Sequence, residues 1–123
     1  MYDMTYDAER ALLHVVKRGF WSIKDFRAFV GDFMTLDRDI RRKQPRYGIF
    51  ANCRDYSVQS AQISQAYTEL FDNLSTDHQG RFAIIVNSAL ARMQVKRAMP
   101  HAIVEVFTDD DEAIRWLIDG SLA

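Results

Sequence analysis

The chain has 123 residues, 16 of them basic and 17 acidic, for a net charge of −1, and 48% are hydrophobic. That length fits a single domain, 1–123, able to bury roughly two thirds of its unfolded surface without a disulfide or a metal. A near-neutral charge offers phosphates no chain-wide attraction, so no nucleic-acid partner is expected, and no apolar run approaches the ~20 residues of a transmembrane segment.

The single cysteine, Cys53, cannot form an internal bridge. Met1 to Tyr6 lacks the basic and apolar regions of a signal peptide, and a cytoplasmic localisation is the expectation.

In chain order, Tyr2 to Tyr6 alternates as a short strand, and Asp7-Ala8-Glu9-Arg10 turns into a second, Ala11 to Lys17. The pair reads as an antiparallel hairpin. Ser22 with Asp25 forms a capping box, and Trp21 with Phe26 a hydrophobic staple, so a long helix starts there. Ile23, Phe26, Val30, Phe33 and Ile40 recur at helical spacing, and Phe29, Met34 and Leu36 widen the stripe. Ordinary core packing accounts for most of that width, and the remainder predicts an exposed apolar patch on this helix, open to a homodimer contact or a slender apolar ligand. Arg41-Arg42-Lys43 complements the helix dipole in the last turn, and Pro45 prevents continuation.

Tyr47 to Cys53 is the third strand, leaving through Arg54-Asp55-Tyr56-Ser57 into a helix from about Val58 to Asp77. Val58, Ile63, Ala66, Tyr67, Leu70 and Leu74 mark its buried face, with Ser57 or Ser60 as the N-cap. Gly80 punctuates the return to a fourth strand, Arg81 to Val86, stopped by Asn87-Ser88. A shorter helix runs from about Ala89 to Met99 and ends at Pro100. The last strand, Ile103 to Phe107, feeds a helix that Thr108 caps and Asp111 answers reciprocally, and Gly120 stops it.

A hairpin followed by alternating helix and strand predicts an α/β fold of about five strands and four helices. Its sheet is parallel except at the N-terminal hairpin, with right-handed crossovers. Every strand-to-helix junction then opens on one edge, carrying Ser22, Ser57, Asn87 or Ser88, and Thr108. Free N–H groups at such helix starts can hold an anion, which makes this edge the first place to look for a ligand.

At that edge Arg54, Asp55 and Ser57 are the ligand-binding candidates, joined by Arg92 and Lys96, one turn apart on the short helix beside Arg97. The basic group suits an anionic ligand or an acidic partner, and also suits a helix C-terminus. Asp109-Asp110-Asp111-Glu112 offsets the positive end of its helix without an ion, and His14, His78 and His101 form no zinc spacing, so no metal site is assigned. Cys53 reads as a small buried hydrophobe. The chain contains no Gly-x-Ser-x-Gly elbow, His-Glu-x-x-His, Walker loop or Gly-x-Gly-x-x-Gly, and neither a catalytic residue nor a cofactor is assigned.

The element order, the Gly19-Phe20-Trp21-Ser22 helix entry and the closing Val106-Phe107-Thr108 to Glu112-Ala113-Ile114-Arg115-Trp116-Leu117 segment resemble the SpoIIAA-like group of the STAS superfamily. That superfamily comprises sulfate-transporter and anti-sigma-factor-antagonist domains, and the likeness runs from about Tyr6 to Gly120. It implies a right-handed β/α superhelix. It also implies a phosphorylation candidate, because antagonists of this superfamily are switched at a serine starting the helix after the third strand, in an Asp-Ser-Ser/Thr-Gly type motif. Asp55-Tyr56-Ser57-Val58 stands at the corresponding place, with Ser57 as the matching hydroxyl, Tyr56 in place of a small residue and Val58 in place of the glycine.

The function expected is a non-enzymatic, regulatory or ligand-binding module, acting through a protein partner or a small anionic or amphipathic ligand. The alternatives are a small enzyme using Ser57, Asp55 and Arg54 at the strand-exit edge, and a structural domain supporting a homo-oligomer.

Overall fold

Five strands lie side by side in chain order, β1 (Tyr2–Asp7), β2 (Leu12–Gly19), β3 (Gly48–Tyr56), β4 (Phe82–Ile85) and β5 (Val104–Phe107). The computed structural model describes residues 1–77 and 80–120, except for the side chains of 75–77. β1 pairs antiparallel with β2, and every later neighbour is parallel, as the alternation of strand and helix predicts. The helices α1 (Ile23–Arg41), α2 (Ala61–Asp77), α3 (Ala89–Ala98) and α4 (Asp110–Asp119) complete the four-helix α/β architecture.

The sheet is covered unequally. Leu13, Val15, Ile49, Ala51, Cys53, Phe82, Ile84 and Val106 form one face, and it packs with Phe26, Phe29 and Phe33 of α1, Ile63, Tyr67 and Phe71 of α2, and Ala98 of α3. The alternate residues Leu12, Phe50, Ala83, Ile85 and Phe107 meet α4, the one described helix on that side, through Ala113, Trp116 and Leu117. Gly48 serves this second layer, because a Cβ there would stand 2.9 Å from Leu12 Cδ2 and 3.2 Å from Leu117 Cδ2.

α1 starts as its sequence dictates. Ser22 Oγ accepts from Asp25 N at 3.1 Å, and Asp25 Oδ2 accepts from Ser22 N at 2.9 Å. The backbone N–H of Ser22, and then its hydroxyl, hold the Asp25 carboxyl below the usual carboxylate range. One charged residue is buried in this helix: Asp37 is 0% exposed, taking a 2.6 Å bond from the Tyr47 hydroxyl and a 2.9 Å ion pair from Arg41.

Four local expectations are corrected. The wide apolar stripe of α1 is spent on the core, because Tyr2, Met4 and Tyr6 of β1 pack against the same cluster and the Tyr2 ring meets Phe29 edge-on at 5.2 Å. The large exposed hydrophobics among the described residues are Met1, Phe20, Val58, Leu90, Met93 and Ile118, none of them on α1. β3 continues three residues past Cys53, because β2 goes on pairing with it through Arg18↔Asp55 and Gly19↔Tyr56.

α2 consequently begins at Ala61, where Ser60 Oγ accepts from Ile63 N at 3.2 Å. Ser57 lies before that helix and does not cap it, Val58 is exposed, and Phe71 joins the buried face. Finally, α4 is capped by Asp109, whose carboxylate accepts from Asp111 N at 2.8 Å and Glu112 N at 3.3 Å, leaving Thr108 outside the cap. An ionised oxygen facing two free N–H groups outcompetes a hydroxyl one residue earlier.

Candidate functional site

In open α/β sheets the crevice for a ligand arises where neighbouring crossovers diverge, at a reversal of strand order. Strands laid down 1-2-3-4-5 contain no reversal, so a site must come from the layer between the sheet and α1, α2 and α3. Such a space exists beneath the strand exits, and Lys17 stands at its centre.

Lys17 shares a face of β2 with Leu13 and Val15, which directs its side chain into the helical layer, where it is only 8% exposed. The register between β2 and β3 breaks beside it: Val16 pairs with Asn52 and Arg18 with Asp55, so β3 carries an extra residue opposite Lys17. Asn52 Oδ1 takes the Arg54 N–H at 3.1 Å within this bulge. Unbroken alternation after Ala51 and Cys53 would turn Asp55 toward Lys17. The bulge turns Tyr56 inward and leaves Asp55 exposed. Lys17 thereby meets rings where strict alternation would supply a carboxylate.

The surroundings of the amine follow from that substitution. Lys17 Nζ donates to Tyr67 Oη at 3.0 Å, and Tyr67 Oη is 3.0 Å from Tyr56 Oη. Nζ lies 4.6 Å from the centroids of Phe29 and Tyr67 and 5.7 Å from that of Tyr56, a three-ring cage suited to a cation. No carboxylate pairs with it among the described residues. Burial pushes the Lys17 amine below the usual lysine range, slightly offset by the nearby Cys53. Burial likewise raises the Cys53 thiol and the Tyr56 and Tyr67 hydroxyls.

Two cavities flank this group. One of about 40 Å³ is bounded by Cys53, Tyr56, Ser64, Val86, Val95 and other residues, and Ser57, Gln59 and Gln94 belong to its wall. The other, about 30 Å³, extends among Val15, Phe33, Leu70, Phe71 and their neighbours. Lys17, Tyr67, Ile84 and Met99 line both. Gln59 closes the first cavity from above: its Oε1 accepts from Trp21 N at 2.8 Å, and its Nε2 donates to the carbonyls of Gly19 and Ser57 at 3.0 and 2.5 Å. The arrangement can hold a small molecule with one polar group against Lys17, Tyr56 and Tyr67 and an apolar body against the aliphatic walls.

The residues singled out in the sequence are divided by the structure. Arg54, Asp55 and Ser57 line a shallow surface depression of about 320 Å³ together with Asn87 and Ser88. Arg54 is engaged there by an ion pair with Asp110 at the start of α4. Arg92 lines neither this depression nor the cavities, and Lys96 borders a separate hollow beside His101 and Glu105. His14 packs against Phe50 and His101 bonds to Asp72 at 2.8 Å, whereas His78 lies outside the described residues. Among the described residues no three of His, Cys, Asp and Glu converge as a metal site, and no helix is long and apolar enough to cross a membrane.

Sequence reasoning missed Lys17, Tyr67, Gln59 and Gln94. The signal for Lys17 was present, because it falls in phase with Leu13 and Val15 on the buried face of its strand.

Comparison with known proteins gives the fold. No family model and no curated protein matches the chain. Among solved structures, it is similar to an uncharacterized protein of the DUF3478 family with a SpoIIAA-like fold from Shewanella loihica PV-4. The two share 18% identity at a TM-score of 0.64, over 95% of this chain and 92% of that one. The antiparallel opening, the parallel sheet in chain order and this likeness agree: the chain has the SpoIIAA-like fold.

Proposed function

We propose that the protein is a STAS-type binding module that takes a small amphipathic ligand between its sheet and the α2–α3 pair, entering at the strand-exit edge. The observation that supports this reading is the cavity containing Lys17, a buried amine without a carboxylate partner among the described residues, beside an aliphatic wall of Ile84, Val86 and Met99. A cation placed there for stability alone is costly, since desolvation is not offset by an opposite charge. A ligand that supplies the missing interaction gives it a use.

No bond-making step is asked of the site. The residues named for the enzyme alternative, Arg54, Asp55 and Ser57, lie in a depression whose lining contains no histidine, and Arg54 is held by Asp110. Native mass spectrometry of protein purified from its own host tests the reading, because it reports retained mass and oligomeric state together. A reproducible small-molecule adduct lost on unfolding is the expected result. A bare polypeptide mass that no amphiphile shifts, with no thermal stabilisation by any, contradicts it.

A partner-protein reading is favoured by one separate observation. Val58, Leu90 and Met93 are exposed around a groove of about 500 Å³ between α2 and α3, which also carries Arg97. Contact through this groove places a regulatory partner or a second copy on α3, away from α1. Leu90→Ser combined with Met93→Ser then lowers association by size-exclusion light scattering, while unchanged association assigns the contact elsewhere.

A further inference from the structure

We infer that Lys17 anchors the carboxylate of a short-chain monocarboxylic acid, of acetate or propionate size, whose alkyl end occupies the cavity beside Ile84, Val86 and Met99. This rests on the binding-module reading and names the ligand class for the same site.

Three observations converge on that class. The first is charge. Phe29, Tyr67 and Tyr56 surround Nζ at cation–π distances, so the cage holds a positive charge in place but does not neutralise it. The titratable groups facing the amine are Cys53 from β3 and the hydroxyls of Tyr56 and Tyr67. All three are neutral around pH 7, because burial raises each of them. An incoming anion is therefore the group that completes the site.

The second observation is size. The cavity of about 40 Å³ holds roughly three waters and its neighbour of about 30 Å³, lined by the same Lys17, Tyr67, Ile84 and Met99, roughly two more, together the four or five heavy atoms of acetate or propionate. A longer acyl chain requires α2 and α3 to separate.

The third is the distribution of polarity. The Tyr67 hydroxyl accepts from Nζ and is bonded to the Tyr56 hydroxyl, which leaves one proton of the pair to donate to a carboxylate oxygen, whereas Ile84, Val86, Val95, Ala98 and Met99 provide aliphatic wall. Chloride or nitrate would lose its hydration and gain nothing from that wall. A carboxylate with a short alkyl tail satisfies both halves.

The test titrates the full chain, labelled with 13C-lysine, with sodium propionate. Sodium chloride at matched ionic strength and the uncharged near-isostere propionamide serve as controls. Propionate is expected to raise the melting temperature and to raise the Lys17 pKa read from the pH titration of its 13Cε resonance, with little response to chloride or propionamide. Lys17→Met, with folding checked by circular dichroism, is expected to bind propionate at least about tenfold more weakly, the order of one charge-assisted hydrogen bond.

If Lys17→Met does not fold, the wild-type Lys17 resonance decides alone. Propionate binding undiminished in Lys17→Met, an equal response to chloride, or a Lys17 titration curve unmoved at saturation overturns the anchor. Equal binding of propionamide overturns the anchor but leaves the binding-module reading standing. Failure of propionate, propionamide and longer amphiphiles alike removes both.

Discussion

Gln94 holds the main chain of Gln59 at both ends: its Oε1 accepts from Gln59 N at 3.0 Å, and its Nε2 donates to Gln59 O at 2.8 Å. A side-chain amide here does what a neighbouring strand does in a sheet, tying α3 to the segment that precedes α2. The same Nε2 also reaches Ser64 Oγ at 2.9 Å. Gln59 in turn grips Trp21, Gly19 and Ser57, so one pair of glutamines joins the exits of β2 and β3 to two helices.

Gln94→Ala is therefore expected to cost about 1–3 kcal/mol, because it strips partners from the main chain of a buried residue. Urea denaturation gives the magnitude, and hydrogen exchange at the Gln59 amide gives the location. Gln94→Glu keeps the acceptor and loses the donor, and should fall between the two. A wild-type exchange rate at Gln59 in Gln94→Ala would show that the clasp carries no load.

Lys17 makes stability depend on pH with a definite sign. Its folded pKa lies below the ordinary value of about 10.4, so between the two values the unfolded chain binds the extra proton, and stability rises with pH. The raised hydroxyls of Tyr47, Tyr56 and Tyr67 act oppositely, but only above about pH 10, where the unfolded tyrosines ionise. Below pH 10, Lys17→Met should lose the Lys17 slope and be more stable than wild type at neutral pH. Curves for the two proteins that stay parallel all the way up to about pH 10.4 would contradict this.

Asp37→Ala should destabilise by about 3 kcal/mol. It removes the oxygen that the Tyr47 hydroxyl meets at 2.6 Å in the core and frees Arg41 toward solvent. Arg41→Ala removes a partner that is itself partly exposed and should cost less. Equal losses in chemical denaturation would mean that the ion pair, and not the buried hydroxyl, dominates.

The cap assignments are separable in pairs. Asp109→Ala and Ser60→Ala should each cost about 1 kcal/mol, while Thr108→Ala and Ser57→Ala should lie within about 0.5 kcal/mol of wild type. A larger loss for Thr108→Ala than for Asp109→Ala would restore the hydroxyl as the cap of α4.

Much of the fold is legible in the chain because the strongest local signals sit at element boundaries: Ser22 with Asp25 and Gly120 at φ +76° stand where the sequence puts them, and of Asn87 and Ser88 the structure selects Ser88 to start α3. The strand-exit edge is legible for the same reason. What the sequence does not carry is register. A single extra residue near Cys53 exchanges Asp55 for Tyr56 on the inner face, and no local propensity announces it, because the bulge is a property of β2 and β3 together. The polar residues at Arg54, Asp55 and Ser57 accordingly stood out as a site, while the amine that the bulge leaves without a carboxylate did not.

The unequal covering of the sheet bears on biogenesis. Among the described residues α4 is the helix that covers Phe50, Ile85 and Phe107, and it follows every strand described. On a ribosome the α1–α3 layer can therefore close over its side of the nascent sheet while the opposite surface still shows these aromatic and aliphatic groups to water. Docking of one ten-residue helix, secured by Trp116 under the Arg81 guanidinium, ends that sticky interval.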